Sequence, residues 1–145
     1  MARDRAFINS EHRTFLEEMK KKDILGFGES IIDTKDVFLL AVALGVNSPA
    51  ESFKSRDGYF RLQYLKTADK ALLGSVLLGK AETDAEIDEY ADLGKSIDLC
   101  ELCAETGFQV LQSKVNNADG DSDLLERRLL RELDLLYTKN VENEL

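Results

Sequence analysis

Residues 83–115 constrain the fold most, because their pattern is typical of one long helix. Thr83 and Glu86 have the spacing of a capping box, in which two side chains satisfy the unpaired N–H groups at a helix start. Apolar residues then recur at spacings of three and four, or their multiples, and a second apolar face appears in the second half. The first face holds Ile87, Tyr90, Gly94, Ile97, Ala104, Phe108, Leu111 and Val115, and the second holds Leu99, Leu102, Cys103 and Val110. A helix that is apolar on two sides must be covered on two sides, so we expect this one at the centre of the fold or at a subunit interface.

Four further helices are predicted from capping residues and apolar patterns. They cover about residues 10–22, 35–44, 68–80 and 123–139, and their N-terminal caps are Ser10, Thr34, Thr67 and Ser122. Residues 37–44 are apolar all round, which is typical of a buried helix, and Gly45 suits the C-terminal end of that helix. Residues 141–145 are expected to be a frayed tail.

One segment, residues 59–65, is aromatic-rich and reads as a strand that follows a turn at Arg56-Asp57-Gly58. Its partner would be residues 26–32 or a second copy of the chain, unless it is an extended loop. Ser48-Pro49-Ala50-Glu51 has a capping signature and predicts a short helical turn that carries Phe53. Gly26-Phe27-Gly28 lacks the third glycine of a dinucleotide fingerprint, so it predicts a loop.

These patterns predict a mainly α fold: a single helical domain of about five helices over residues 1–145, with residues 2–115 as its core. A chain of 145 residues is long enough for one domain with a real core. No apolar run is long enough to span a membrane, and the N-terminus has no signal-like apolar region. Two cysteines do not make a disulfide framework. We therefore expect a cytoplasmic protein without membrane contact.

The formal net charge of −9 is unevenly distributed. Residues 1–80 carry 13 Lys/Arg and 11 Asp/Glu, whereas residues 81–145 carry 6 and 17. The front half can therefore approach a phosphate backbone at a local basic patch, and the back half would repel one. The candidate nucleic-acid contacts, two of which flank the aromatic pair Tyr59-Phe60, are Arg3, Arg5, Arg13, Lys54, Arg56, Arg61 and Lys66. The alternative is that these side chains are scattered solvated charges.

The sequence has no catalytic signature of the G-x-S-x-G or P-loop type. His12 is the single histidine, and nothing near it in the sequence orients it as a general base. Cys100 and Cys103 are expected to be buried structural cysteines, since zinc needs four ligands and no second pair exists. The acidic run at 84–92 reads as a solvated face, and the loop at 117–123 lacks the ligand order of a calcium site. We expect no enzyme activity, metal or cofactor.

The last predicted helix, about residues 122–139, has too many leucines for one narrow stripe. It should therefore pack against the body of the protein or form a dimer. The candidate contacts with a second copy or a partner protein are Leu125, Leu129, Leu133 and Leu136.

Three stretches, in this order, carry a resemblance to a known family. They are Arg3-Asp4-Arg5 followed by Glu11-His12; the helix start Asp33-Thr34-Lys35-Asp36-Val37-Phe38 with its end Ala43-Leu44-Gly45; and Glu89-Tyr90-Ala91 leading to Gly94. Over about residues 2–105 the chain resembles dnd system-associated protein 4, a family of small proteins encoded beside DNA phosphorothioation systems. The resemblance implies a role in prokaryotic defence through modified DNA, as an accessory or partner of larger restriction proteins. It carries over no active-site residue.

The leading hypothesis is therefore a non-enzymatic accessory protein of a DNA phosphorothioation-linked modification or restriction system, acting through protein contacts. One alternative is an acidic DNA mimic or inhibitor that occupies the DNA site of a partner. Another is a structural homodimer built on residues 122–139.

Overall fold

A computed structural model describes residues 4–21, 34–52, 56–78, 82–91, 93–118 and 121–144. Within these ranges lie two strands, two short 3-10 helices and six α-helices. The strands are β1 (Arg5–Asn9) and β2 (Arg56–Arg61), and the 3-10 helices are Ser10–His12 and Leu62–Tyr64. The α-helices are α1 (Arg13–Lys21), α2 (Thr34–Gly45), α3 (Thr67–Leu78), α4 (Asp84–Ala91), α5 (Leu93–Ala118) and α6 (Ser122–Glu144). The mainly α fold class predicted from the sequence is confirmed.

Helix α5 is the centre of the fold, because β1, α2, α3, α4 and α6 all pack against it. Its buried side chains include Ile97, Cys100, Ala104, Phe108 and Leu111, each at most 1% exposed. The expectation that this helix is central is therefore confirmed.

The structure describes most of residues 83–115 as helical, in two segments. Helix α4 ends at Ala91 and α5 begins at Leu93, and Asp92 between them lies outside the described residues. Helix α5 also continues to Ala118, three residues beyond the predicted end at Val115.

The predicted cap at Thr83 is present, but the Glu86 side chain bonds to the N–H of Glu82 rather than to that of Thr83. The N–H of Glu86 donates to Thr83 Oγ1 at 3.2 Å. The Glu86 carboxylate accepts from the N–H of Glu82 at 2.7 Å. Two backbone donors at the start of α4 are thus satisfied by side chains, as helix termini require.

A close backbone contact joins α2 to α5. A Cβ atom added at Gly107 would lie 1.7 Å from the carbonyl oxygen of Ala41, and one added at Gly45 would lie 1.8 Å from that of Cys103. Only glycine permits such an approach between two backbones. Helix α2 also buries Phe38 and Val42 completely, so the prediction of a buried helix ending near Gly45 is confirmed.

Strands β1 and β2 form an antiparallel two-stranded sheet. The register pairs Arg5 with Arg61 and Asn9 with Arg56, with an irregularity between Ala6 and Phe7. The predicted strand exists, and its bounds are Arg56–Arg61 rather than residues 59–65. Because β2 begins at Arg56, the predicted turn at residues 56–58 is part of the strand. Its partner among the described residues is β1, which was not one of the predicted partners, and residues 26–32 lie outside the described residues.

The N-terminal strand was missed because it is short and its pattern is weak. It buries Ala6 at 0%, Ile8 at 2% and Asn9 at 5% exposure, whereas Arg5 and Phe7 are half-buried. The following cap is Asn9 rather than Ser10: Asn9 Oδ1 accepts from the N–H of Glu11 at 3.2 Å. This opens the 3-10 turn, and α1 begins only at Arg13.

Three smaller predictions also need correction. Residues 48–52 hold no helical turn, because the N–H of Ala50 donates to the carbonyl of Leu102 and fastens this segment to α5. The cap of α6 is Asp121, whose Oδ1 accepts from the N–H of Leu124 at 3.1 Å. Helix α6 runs to Glu144, so residues 141–144 are helical rather than frayed. The loop predicted at residues 26–28 and the residue Phe53 lie outside the described residues.

Gly107→Ala should destabilise the protein by at least about 3 kcal/mol, since its methyl group would overlap the backbone of α2 and force the helices apart. The matched control is Gly74→Ala, in the interior of α3, where an added Cβ has no atom within 4 Å among those described. That control should be neutral or stabilising by up to about 1 kcal/mol, because alanine favours a helix. Urea unfolding measures both, and equal midpoints for the two variants would refute the backbone contact.

An ion pair joins α2 to α3. Lys35 Nζ lies 2.6 Å from Asp69 Oδ2, and the two side chains are 11% and 16% exposed. The same carboxylate oxygen accepts from the N–H of Lys66 at 2.8 Å, at the start of α3. The hydrogen bonds from the Lys35 ammonium and from this N–H lower the pKa of the Asp69 carboxyl.

Asp69→Asn should therefore lower the free energy of unfolding in a pH-dependent way. A carboxyl whose pKa is lowered in the folded state contributes stability above its unfolded pKa, and this contribution is lost as the pH falls through the folded value. We expect the wild type to be more stable than the variant at neutral pH, and the difference to shrink below about pH 4. Urea titrations across that range test this, with Asp134→Asn, an exposed position on α6, as control. A difference that did not vary with pH would rule the linkage out.

Candidate functional site

Basic side chains of the front half converge on the two-stranded sheet. Arg5 and Arg61 are directly opposite each other across the strands, and Arg56 lies at the other end of β2. Arg13, at the start of α1, reaches the same sheet, because its Nη1 donates to the carbonyl oxygen of Gly58 at 2.9 Å. We name these four residues, Arg5, Arg13, Arg56 and Arg61, the arginine ribbon. Arg56 and Arg61 are exposed, and Arg5 and Arg13 are half-buried.

The position of the Arg5 side chain depends on Gly58 in β2. A Cβ atom at Gly58 would lie 3.4 Å from Arg5 Cδ and 3.5 Å from its Nη1, so the Arg5 side chain lies across β2 at this point. Gly58 leaves space for that side chain beside the backbone. The residue that the sequence suggested as part of a turn is thus a packing position for an arginine.

Arg13 has several partners among the described residues. Besides its bond to Gly58, its Nη1 lies 3.2 Å from Asp57 Oδ2, and its Nε lies 3.4 Å from Glu17 Oε1. These contacts fasten α1 to β2 and partly neutralise the charge of Arg13. In contrast, neither Arg5 nor Arg61 has a carboxylate within ion-pair distance among the residues that the structure describes. Like charges opposite each other destabilise a strand pair, so this pair favours an external anion.

The aromatic residues beside the ribbon are directed partly into the core. Phe60 is 6% exposed and makes an edge contact with Phe38, with ring centroids 5.2 Å apart. Tyr59 is half-buried and contacts the ring of Phe108 edge-on, with centroids 6.0 Å apart. A base could stack only on the exposed part of Tyr59. The tyrosine also lines a cleft of about 190 Å³ between α1, α2 and β2, together with Arg13, Leu16, Glu17, Thr34 and Val37.

A buried polar layer lies between the sheet and α5. His12 Nε2 is 2.9 Å from Glu105 Oε2, and both side chains are 7% exposed. The other oxygen of Glu105 accepts weakly from Asn9 Nδ2 at 3.5 Å. One turn earlier, Glu101 Oε2 accepts from the N–H of Phe7 at 2.5 Å, and Glu101 is 2% exposed. These bonds hold the segment around β1 onto the central helix.

Sequence reasoning missed this layer. It found nothing near His12 that orients the ring, whereas the partner is Glu105, 93 residues further along the chain. Glu105 and Glu101 are separated by four residues, which places both on one face of α5. The only feature of the sequence that pointed to this polar layer was therefore a pair of carboxylates on one face of a helix that must be buried.

The remaining basic candidates add little to this surface. Lys66 is exposed after the second 3-10 helix, where its N–H bonds to Asp69. Arg3 and Lys54 lie outside the described residues. The nucleic-acid prediction therefore concentrates on the arginine ribbon.

The leucine-rich helix packs against the body of the protein. Leu125 and Leu129 are 1% and 7% exposed and belong to the core, and Leu133 packs partly against it. Leu136 is half-buried. Two of the four residues that we assigned to an interface are thus covered within a single copy of the chain, which favours packing over dimerisation. A homodimer or a partner contact through α6 stays a prediction.

The two cysteines are buried, as expected, and neither forms a disulfide bond. Burial, and to a lesser degree the neighbouring Cys103, raise the pKa of the Cys100 thiol to about 12, so this thiol is not a nucleophile at neutral pH. The described residues contain no group of three His, Cys, Asp or Glu that could hold a metal ion. In the loop compared with a calcium site, Asp121 caps α6, and residues 119–120 lie outside the described ranges.

Comparison of the chain with protein-family models, curated proteins and solved structures finds no match. Among the described helices, none is long and apolar enough to cross a membrane. The function must therefore be argued from the charge and geometry of the surfaces themselves.

His12→Ala should lower the free energy of unfolding by roughly 3 kcal/mol, because it leaves the Glu105 carboxylate buried without its main partner. Glu11→Ala, at the exposed neighbouring position, should change it by less than about 0.5 kcal/mol. Chemical denaturation measures the two variants under one condition. Similar small effects at both positions would show that the buried bond contributes nothing to stability.

Proposed function

We propose that this chain is a non-enzymatic accessory protein of a DNA phosphorothioation-linked modification or restriction system. It acts through contacts with larger restriction proteins and meets their DNA at the arginine ribbon. The observation that carries the proposal is the pairing of Arg5 with Arg61 across the strands, two cations without a carboxylate partner among the described residues. A phosphate or phosphorothioate backbone supplies the negative charge that this pair lacks.

The residues that carry the family resemblance support a scaffold role. His12 bonds to Glu105 beneath the ribbon, Gly45 permits the contact of α2 with α5, and Lys35 joins α2 to α3. Each of them positions the ribbon or the core.

The DNA-mimic alternative has less support. It needs carboxylates of the back half at the surface, but Glu101 and Glu105 are 2% and 6% exposed and bond to the N-terminal segment. The acidic surface of the back half is also interrupted by arginines on α6, among them Arg128 and Arg131. These features favour the accessory role over mimicry.

Fluorescence anisotropy with short duplexes, plain and phosphorothioated, across a salt series tests the proposal. We expect salt-sensitive binding that prefers the modified duplex. With Arg5 and Arg61 as phosphate contacts, the slope of log K against log salt should be about −2. The double variant Arg5→Gln/Arg61→Gln should reduce that slope by about 2 units, because each lost phosphate contact removes about one.

The matched control is Lys70→Gln, which removes an exposed cation from α3, away from the sheet. Its binding and salt slope should equal those of the wild type. Absence of binding to either duplex at low salt would eliminate DNA contact. If the control and the ribbon variant lost the same DNA affinity, any loss of positive charge would weaken binding, and the ribbon would not be a specific DNA contact.

A further inference from the structure

A groove with basic walls lies between the C-terminal part of α5 and the middle of α6. It encloses about 620 Å³ and is lined by Lys114, Asn117, Arg128, Arg131, Glu132 and Leu135. We name these six residues the basic groove. Its elements, α5 and α6, are different from β1, β2 and α1, which carry the arginine ribbon.

Two of the cations in this groove are held in place. Lys114 Nζ lies 3.4 Å from Glu132 Oε2, and both side chains are 30% exposed. Arg128 Nη1 donates to the carbonyl oxygen of Asn117 at 2.9 Å, near the C-terminal end of α5. Their positions are thus set before any ligand arrives, which lowers the entropy lost on binding.

The third cation, Arg131, is exposed and makes no ion pair with any residue that the structure describes. Glu132 is the one carboxylate among the lining residues, and it is paired with Lys114. Two guanidinium groups in the groove therefore lack a carboxylate partner among the described residues. Like charges brought together in this way repel each other, and a bound anion would relieve that repulsion.

The charge of the groove is opposite to that of its surroundings. Residues 81–145 contain only 6 Lys/Arg against 17 Asp/Glu, yet three of those six line the groove. With three cations and one carboxylate, the lining has a formal charge of +2. A chain of net charge −9 repels anions in general, so anion binding at this place depends on the local arrangement.

We propose that the basic groove binds the phosphate groups of a small phosphorylated molecule. Guanidinium groups present paired donors that match phosphate oxygens. The volume of the groove lies in the range of small-molecule sites, roughly 300–1,000 Å³, and exceeds what a single phosphate fills. Leu135, which is 56% exposed at the wall, offers an apolar contact to the rest of the ligand.

The neighbouring surface disfavours a nucleic acid in the same place. Glu126 and Asp134 are exposed on α6, on either side of the arginines in sequence. A duplex carries phosphates beyond the groove, over a back half with 17 Asp/Glu against 6 Lys/Arg. A compact phosphate group meets only the groove.

Isothermal titration calorimetry with inorganic pyrophosphate and with adenosine diphosphate, at low ionic strength, tests the proposal on the full chain. We expect both probes to bind at one site. Arg131→Gln should weaken binding roughly tenfold, the usual effect of losing one charge-assisted hydrogen bond. Because Arg131 is exposed, the variant should keep the wild-type unfolding midpoint, which circular dichroism verifies.

Arg127→Gln is the matched control, since it removes the same charge from an exposed position of the same helix that does not line the groove. It should change the affinity less than twofold. The variant Arg5→Gln/Arg61→Gln should also bind pyrophosphate normally, which separates this site from DNA contact at the ribbon.

Three results would overturn the proposal. They are no heat of binding with either probe, equal weakening in the Arg127 and Arg131 variants, and displacement of pyrophosphate by a short DNA duplex. The last result would make the groove a nucleic-acid site.

Discussion

The backbone contact between α2 and α5 is the constraint on which the other packing depends. Gly45 and Gly107 bring the helices close enough for carbonyl oxygens of each to touch the other. This approach places Phe38 and Phe108 in one continuous core, and Phe60 of β2 packs against Phe38. A side chain at either glycine would separate the layers that carry the two-stranded sheet. The basic surface is therefore positioned by a contact that itself carries no charge.

The second constraint is the polar layer under the sheet. Burying Glu101 and Glu105 is costly unless each is hydrogen-bonded, and the N-terminal segment supplies the donors. These hydrogen bonds also hold the segment around β1 in place, because a five-residue strand paired only with β2 would be marginally stable. The charged surface and the hydrophobic core are thus coupled: Arg5 lies outside the same strand whose inner side contacts α5.

The chain concentrates positive charge at two places in an otherwise acidic molecule. At the ribbon, strand register brings arginines together that are 56 positions apart, Arg5 and Arg61. At the groove, helix packing brings Lys114 beside Arg128 and Arg131. Sequence reasoning identified the members of the first group as separate candidates, because basic residues of the front half are visible by composition. It overlooked the second group, since the overall charge of the back half concealed a local exception.

The sequence predicted correctly the features that depend on residues close together in the chain. The amphipathic periods, the glycine at the end of α2 and the burial of the cysteines follow from residues a few positions apart, and so does the mainly α class. Only the tertiary structure showed which residues far apart in the sequence contact each other. These contacts are β1 with β2, His12 with Glu105, and α5 with the arginines of α6. The physical reason is that any buried donor or acceptor can be satisfied by many partners. Which one it meets depends on how the layers pack, and no spacing in the sequence encodes that choice.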